Sequence, residues 1–310
     1  MQKAELIKRS FDANAVIYQG GVSAEGLRIN PLVWEQRLRE FQEKLLVVTP
    51  LAESFDFTGP GSDFKVTIDT APTALSSSLV ETNTVGVSAS ATRQVVFTPS
   101  EEGTSMQLSY AEAARALFDV EGRFMRKLGY LLAERKDALA WTAISGGATT
   151  NLFSNAKTVS SDIATTDTLN LTDITKAVAA IESLYYVADT LIISPKHKQQ
   201  LMTDSSIIKL MDAAQFGTRA AVANGLVGEL YGLRVYMSHA PAVAANRLKA
   251  VVLGRTRSGE AAFGYATKRA ALIETFRDIE FRQIKVVATE EYQFKVLHAD
   301  AIATITSYSA

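Results

Sequence analysis

Three histidines, His197, His239 and His298, and the absence of any cysteine are the first limit on what chemistry this chain of 310 residues can do. A catalytic or structural metal needs imidazoles and carboxylates that converge, usually at helical spacing. The three histidines lie far apart in different segments, and no His-Glu-x-x-His string occurs. Without cysteine there are no disulfides, thiolate zinc sites or thiol nucleophiles. No Gly-x-Ser-x-Gly elbow, phosphate loop or Gly-x-Gly-x-x-Gly string is present. Gly225-x-x-Gly228 lacks the preceding strand and third glycine of a dinucleotide fingerprint. Asp162, Asp167 and Asp173 are spaced too loosely for a calcium loop. Asn170-Leu171-Thr172 matches a glycosylation triplet, which means little without a secretory signal. Glu101-Glu102, followed by a glycine, reads as a solvated turn. The residues thus offer almost no catalytic case, and neither a cofactor nor a metal is expected.

Bulk composition agrees. The chain is 47% apolar and 21% charged, ordinary for a soluble protein of one large core or two smaller ones. A net charge of −1 gives no strong whole-molecule attraction to nucleic acid or anionic membrane. Lys3, Glu5, Lys8, Arg9 and Asp12 punctuate the first twenty residues, so no signal peptide is expected. No apolar run approaches the roughly 20 residues of a membrane span. The expectation is a soluble protein made inside the cell.

The elements that must position these residues follow from periodicity. Residues 1–30 are weakly periodic and read as an arm. Trp34, Leu38, Phe41 and Leu45 then form a narrow helical stripe, which fits either docking on the chain's own domain or an arm packed on a neighbouring subunit. From Glu53 to Ser105 the composition turns to Ser, Thr, Val and Gly. Phe64–Asp69 and part of Thr84–Thr98 alternate apolar and polar residues, predicting a long hairpin with a weakly structured middle at Ala74–Asn83. Too poor in large apolar residues to bury itself, this segment is expected to be mobile in a free subunit and ordered only across a neighbour. Ser109-Tyr110-Ala111-Glu112 fits a capping box. A helical period through Leu117, Phe124, Leu128, Leu131 and Leu139 then predicts one helix to Gly146-Gly147, about 54 Å long for about 36 residues. A helix from Asp173 to Tyr186 capped by Thr172 follows, and strands at Lys249–Leu253, Glu260–Tyr265, Ile279–Ala288, Tyr292–His298 and Ala301–Ser307 complete the chain.

The most informative stretch runs from Leu191 to Pro241. A short apolar strand, Leu191–Ser194, leads into Pro195, which suits a first helical turn. An open stretch carrying "Leu-Met-x-Asp" follows, then Asn224-Gly225, a compact GLVGELYG turn and a strand at Leu233–Ser238. This order resembles tailed-bacteriophage major capsid proteins of the Hong Kong 97-type fold. The resemblance covers most of the chain and rests on the order of five elements rather than on one invariant string.

The resemblance implies an α+β fold with an N-terminal arm (1–52), an extended β-hairpin loop (53–105), a peripheral domain (106–147 and 260–310) built of a long spine helix with a β-sheet, and an α/β axial domain (148–259). It implies an icosahedral shell around viral double-stranded DNA, assembled from copies of the chain as pentamers and hexamers. Scaffolding, portal and decoration proteins are further expected partners, DNA contact is expected to be non-specific, and no membrane is involved. The subunit would be assembled in the host cytoplasm and reside in the virion. Asp63, Lys65, Asp69 and Glu81 of the extended loop, and Gln215, Arg219 and Asn224 near the capsomer axis, are the expected subunit-interface residues. The arm is short, so a fused scaffolding segment is not expected. Lys65 is the only lysine between Glu53 and Ser105 and no asparagine follows Asn246, so the Lys–Asn cross-link of some members lacks its natural pair and a non-covalent shell is expected. Residues 53–105 carry net charge −5 and residues 247–310 net +3. That contrast fits either attraction between subunits or scattered solvated charge. An encapsulin-like compartment shares the fold and is the nearest alternative; a soluble enzyme is a more distant one.

Overall fold

Alternating exposure makes several of the strands, and one long helix binds them. The computed structural model describes residues 46–57, 59–70, 91–111, 120–203, 226–241 and 246–309. The chain divides into two compact units, residues 1–42 with 115–119 and residues 43–114 with 120–310. Every described residue belongs to the second, so the expected arm helix around Trp34–Leu45 lies outside the description. In chain order come β1 (Glu53–Asp56), β2 (Phe64–Asp69), β3 (Thr92–Phe97) and β4 (Ser100–Ser109), then helix α1 (Val120–Gly146). Strand β5 (Thr150–Phe153), helix α2 (Leu171–Glu182), β6 (Val187–Ile193), α3 (Pro195–Thr203), β7 (Leu226–Leu230) and β8 (Leu233–Met237) follow. The chain closes with β9 (Arg247–Arg255), β10 (Phe263–Asp278), β11 (Gln283–Val296) and β12 (Ile302–Tyr308).

Helix α1 lies along a four-stranded sheet of order β1-β10-β11-β4. Its 27 residues span about 40 Å. Leu128, Leu132, Lys136, Ala140 and Ile144 recur every fourth residue and so form one row on the helix. Opposite them, every second residue of β11 from Ile284 to Phe294 is buried. Leu128 and Leu132 pack on Ile284, Val286 and Ala288. Ala140, Trp141 and Ile144 pack on Tyr292 and Phe294, and also on Ile192, Val251 and Ile302 of the second sheet. Between the two apolar patches the rows meet in one ion pair, Lys136 Nζ to Glu290 Oε1 at 2.5 Å. The ammonium also sits 4.6 Å from the Tyr265 ring centre and 4.9 Å from that of Tyr292. Its neighbour Asp137, itself buried, accepts the backbone N–H groups of Val48 and Thr49 at 2.8 Å, tying the chain ahead of β1 to the helix. Leu131, expected on the apolar face, is 39% exposed, and Leu132 takes the buried place. The four-residue row explains the exchange: Leu131 belongs to the next row round the helix.

A six-stranded sheet of order β5-β12-β9-β6-β8-β7 forms the second half of the body. Helix α2 covers one face, with Ile174, Ala177 and Ile181 against Leu191, Ala250, Val252, Ala303 and Ile305. Asn170 rather than Thr172 caps α2, its side chain accepting the Asp173 N–H at 2.9 Å. Pro195 opens α3 as expected, while Leu226–Gly232 of the expected compact turn is strand β7 and a tight turn at Tyr231-Gly232, both at positive φ. The final strand departs most from the expected division at 260–310. β12 does not join β10 and β11; it pairs antiparallel with β9 and parallel with β5, inside the second sheet. Seven residues buried at almost every position, IATITSY, need cover on both faces, which an interior position of that sheet supplies. The boundaries 53 and 105 also shift, because β1 and β4 belong to the four-stranded sheet.

Leu128 is fully buried in the α1–β11 seam and Leu131 is not. Leu128→Ala is therefore expected to cost about 2–5 kcal/mol in urea denaturation, and Leu131→Ala no more than about 0.5 kcal/mol. Equal losses would place the helix face elsewhere.

Candidate functional site: an assembly surface

The histidines settle first. His197 is fully buried beneath α3, and its Nε2 lies 2.8 Å from the Ser307 hydroxyl on β12. That pair has the reach of a nucleophile and base. Yet Ser307 is fully buried too, and Ser194 closes the other side: its N–H is 3.4 Å from Nδ1 and its hydroxyl accepts the His197 N–H at 3.2 Å. Burial pushes the imidazole down to about 4. The arrangement ties α3 to β12 and offers no path for a substrate. His239 is exposed, and His298 stands at the junction between the sheets. Among the described residues no three His, Asp or Glu side chains gather as metal ligands, and no helix is long and apolar enough to cross a membrane. Glu101 and Glu102, expected in a turn, lie in the β4 ladder and pair with Arg269 and Arg135.

What the body offers instead is surface that extends beyond it. The antiparallel pair β2–β3 starts from its register Phe64↔Phe97 and ends at Asp69↔Thr92. Its base is anchored more firmly than the composition predicted, since Phe97 is fully buried. Phe55, Phe64 and Phe97 stand with ring centres 5.8–6.1 Å apart, and Phe57 is 5.5 Å from Phe64. Four phenylalanines spaced through forty-odd residues give no local periodicity, so the sequence reading missed a cluster that forms only when β1 and the hairpin meet. Gly264 makes room for it: a Cβ there would lie 2.7 Å from the Phe55 ring and 2.9 Å from the Glu53 carbonyl. Polar ties add to the seat. The Thr98 N–H donates to the Gln293 side chain at 2.7 Å, and the Lys268 ammonium donates to the Gly61 carbonyl at 2.8 Å.

The expected interface residues divide accordingly. Lys65 and Asp69 are exposed on β2, alternating with Val66 and Ile68, which pack inward. Asp63 is exposed at the strand's entrance and accepts the Thr98 hydroxyl at 2.7 Å. Glu81, Gln215, Arg219 and Asn224 lie outside the described residues.

A second surface was not legible in advance. β1 pairs with β10 only as far as Asp56↔Thr267. Beyond Thr267, β10 runs on to Asp278 with β11 on one side and no described strand on the other. Residues 269–277 are all exposed, including Leu272, Ile273 and Phe276. The turn beyond carries Ile279 at 83% and Phe281 at 70% exposure. A long edge that no described strand covers, with a bare apolar tip, is a template for another chain. Consecutive apolar residues bracketed by Arg269 and Arg282 were its only signal, and they break the alternation by which strands are recognised.

A family model described as phage capsid protein matches residues 92–308. No curated protein matches the chain by sequence. Among solved structures the chain is similar to one from Mycobacterium phage Che8, with TM-score 0.67 and 17% identity over 89% of this chain and 96% of that one. It is also similar to the capsid of Ralstonia phage GP4 (TM-score 0.69, 12% identity, 90% and 96% covered) and to that of cyanophage P-SCSP1u (TM-score 0.66, 14% identity, 91% and 95% covered). Identities this low establish the fold, which is of the Hong Kong 97 type, and no more.

The His197 imidazole carries a pH prediction. Its folded value of about 4 lies below the ordinary 6.5, so the unfolded chain binds the proton first as pH falls. Stability is full above pH 6.5 and is lost between pH 6.5 and 4, by about 3 kcal/mol at most for this group. Urea midpoints measured across that window should fall, and the fall should flatten in His197→Asn, even though that variant starts less stable. An unchanged slope in the variant would assign the acid sensitivity to other groups.

Proposed function

The chain belongs to the phage capsid protein family and is a major capsid protein that forms the shell of a phage head; from that premise we propose how it assembles and what it encloses. Copies gather through their six-stranded domains into pentamers and hexamers, and the hairpin and the β10 edge join one copy to the next. The closed, icosahedral, non-covalent shell holds double-stranded DNA through salt-sensitive, sequence-independent contacts. Assembly takes place in the host cytoplasm with scaffolding, portal and decoration proteins as partners. The subunit works as a building block and not as an enzyme, a reading supported by the enclosed His197–Ser307 pair.

The observation that carries the assembly reading is the outer edge of β10, which no described strand covers, with Phe276, Ile279 and Phe281 bare. A stable monomer gains nothing from leaving such a surface in water. Electron microscopy of the purified protein tests it directly. Closed icosahedral particles containing nucleic acid are expected; a persistent monomer with no particles under any condition would overturn it, and particles free of nucleic acid would remove DNA from the reading. Phe276→Ser combined with Phe281→Ser should leave the urea midpoint within about 0.5 kcal/mol of the original while particle yield falls in sedimentation. Separately, Asp63→Lys with Asp69→Lys should weaken assembly most at low salt, where screening is least. Equal yields with and without added salt would show that hairpin charge does not steer the contact.

A further inference from the structure

We propose that His298 is a proton-sensitive pin beneath the β2–β3 hairpin: neutral, it lets the hairpin seat on the body, and protonated, it favours the hairpin lifting away.

The geometry places this residue where three parts of the chain meet. The backbone crosses between the two sheets at residues 256–262, from β9 to β10, and again at 297–301, from β11 to β12. The two crossings are joined at one carbonyl, Ala262 O, which accepts both the Leu297 and the His298 N–H at 2.9 Å. The His298 side chain then reaches both ways. Its Nε2 lies 3.5 Å from Glu260 Oε2 on the first crossing, and its Nδ1 lies 3.5 Å from the Tyr186 hydroxyl at the entrance to β6. Both distances are long for hydrogen bonds, so packing rather than a strong bond holds the ring.

The hairpin forms the lid on this arrangement. Arg93 of β3 donates to the Leu297 carbonyl, one residue from the imidazole. Leu297 itself is buried with Phe97, Val66, Ile68 and Val95 of the hairpin. A groove of about 610 Å³ runs between the parts, lined by Val66, Ile68 and Asp69 on the hairpin side and Tyr186, Glu260 and His298 on the body side. His298, at 8% exposure, thus lies next to the residue that Arg93 holds and across this groove from the hairpin.

The charged groups around the ring come from every element that packs on it. Glu260 on its own side of the groove and Glu53 of β1 favour a charged imidazole; Arg93 of β3 opposes it. Tyr186 faces the ring, Asp300 acts on Tyr186, and Arg257 lines the same groove. Burial is the largest influence and outweighs the acids, holding His298 below the ordinary histidine value. Lifting the hairpin hydrates the ring and takes Arg93 away, so the lifted state binds a proton more tightly than the seated one. A ligand with unequal affinity for two states shifts their balance towards the state that it binds better, and here the ligand is the proton. One group alone changes the opening equilibrium by at most about tenfold per pH unit.

Hydrogen exchange on the full chain reads this directly, with intrinsic exchange rates divided out. Protection at Lys65–Ile68 and Arg93–Val96 should fall as pH drops below the ordinary histidine range, and His298→Gln should keep neutral-like protection throughout. Glu260→Gln keeps the imidazole but removes an acid that favours its charge, so the fall should extend to lower pH. Arg93→Gln should show weak protection at every pH. The proposal fails if hairpin protection in the original chain does not change with pH, or if His298→Gln loses it with the same slope. Should His298→Gln not fold, the Glu260→Gln comparison decides, and an unshifted profile there overturns the proposal.

Discussion

The match between one row of α1 and one side of β11 is the constraint on which the rest of the molecule depends. Leu128, Leu132, Ala140 and Ile144 on the helix, and Ile284, Val286, Ala288, Tyr292 and Phe294 on the strand, are apolar and buried. Lys136 and Glu290 interrupt both rows at the same level. Buried ion pairs contribute little net stability, because desolvation offsets their attraction. They do penalise slippage: a one-turn shift of the helix would leave Glu290 without its partner among apolar neighbours. The pair thus fixes register in a seam that apolar packing alone would leave free to slide.

That register has consequences at both ends of the helix. Towards its C-terminus, Ala140, Trp141 and Ile144 are shared between the two sheets, so the helix sets one sheet against the other. At Asp137 it accepts the backbone at Val48 and Thr49, which positions β1 and, through Phe55, the aromatic seat of the hairpin. The described base of the hairpin is therefore attached to the body at a few well-packed points. A core this self-sufficient allows the remaining surface, above all the outer half of β10, to stay open for other chains.

The sequence was most readable where one face is buried and one is wet. FKVTID at 64–69, the Pro195 helix start and the strand at Leu233 all follow from local pattern, and the structure has them within a residue or so. The order of the elements was enough to point to the fold. What could not be read were features made by distant meetings. Phe55, Phe57, Phe64 and Phe97 look isolated in the chain and touch only after β1 pairs with β10. The outer part of β10 is exposed on both faces, so Leu272, Ile273 and Phe276 show no alternation. β12 looks like a third strand of a C-terminal meander, and only its burial on both faces reveals that it belongs to the other sheet. Of the expected interface residues, Asp63, Lys65 and Asp69 stand on exposed hairpin positions, and the rest fall outside the described residues.

The position of β12 also bears on how the subunit is made. This strand is inserted between β5 and β9, yet it is the last of the fifteen helices and strands described to leave the ribosome. The six-stranded sheet cannot close during translation until it arrives. At about 5–20 residues per second, β5 waits about 8–30 s for its partner. Through that interval α2 covers a sheet with a gap where Ala303 and Ile305 belong. This half of the molecule therefore closes late, whereas the hairpin pair β2–β3, local in the chain, can form early.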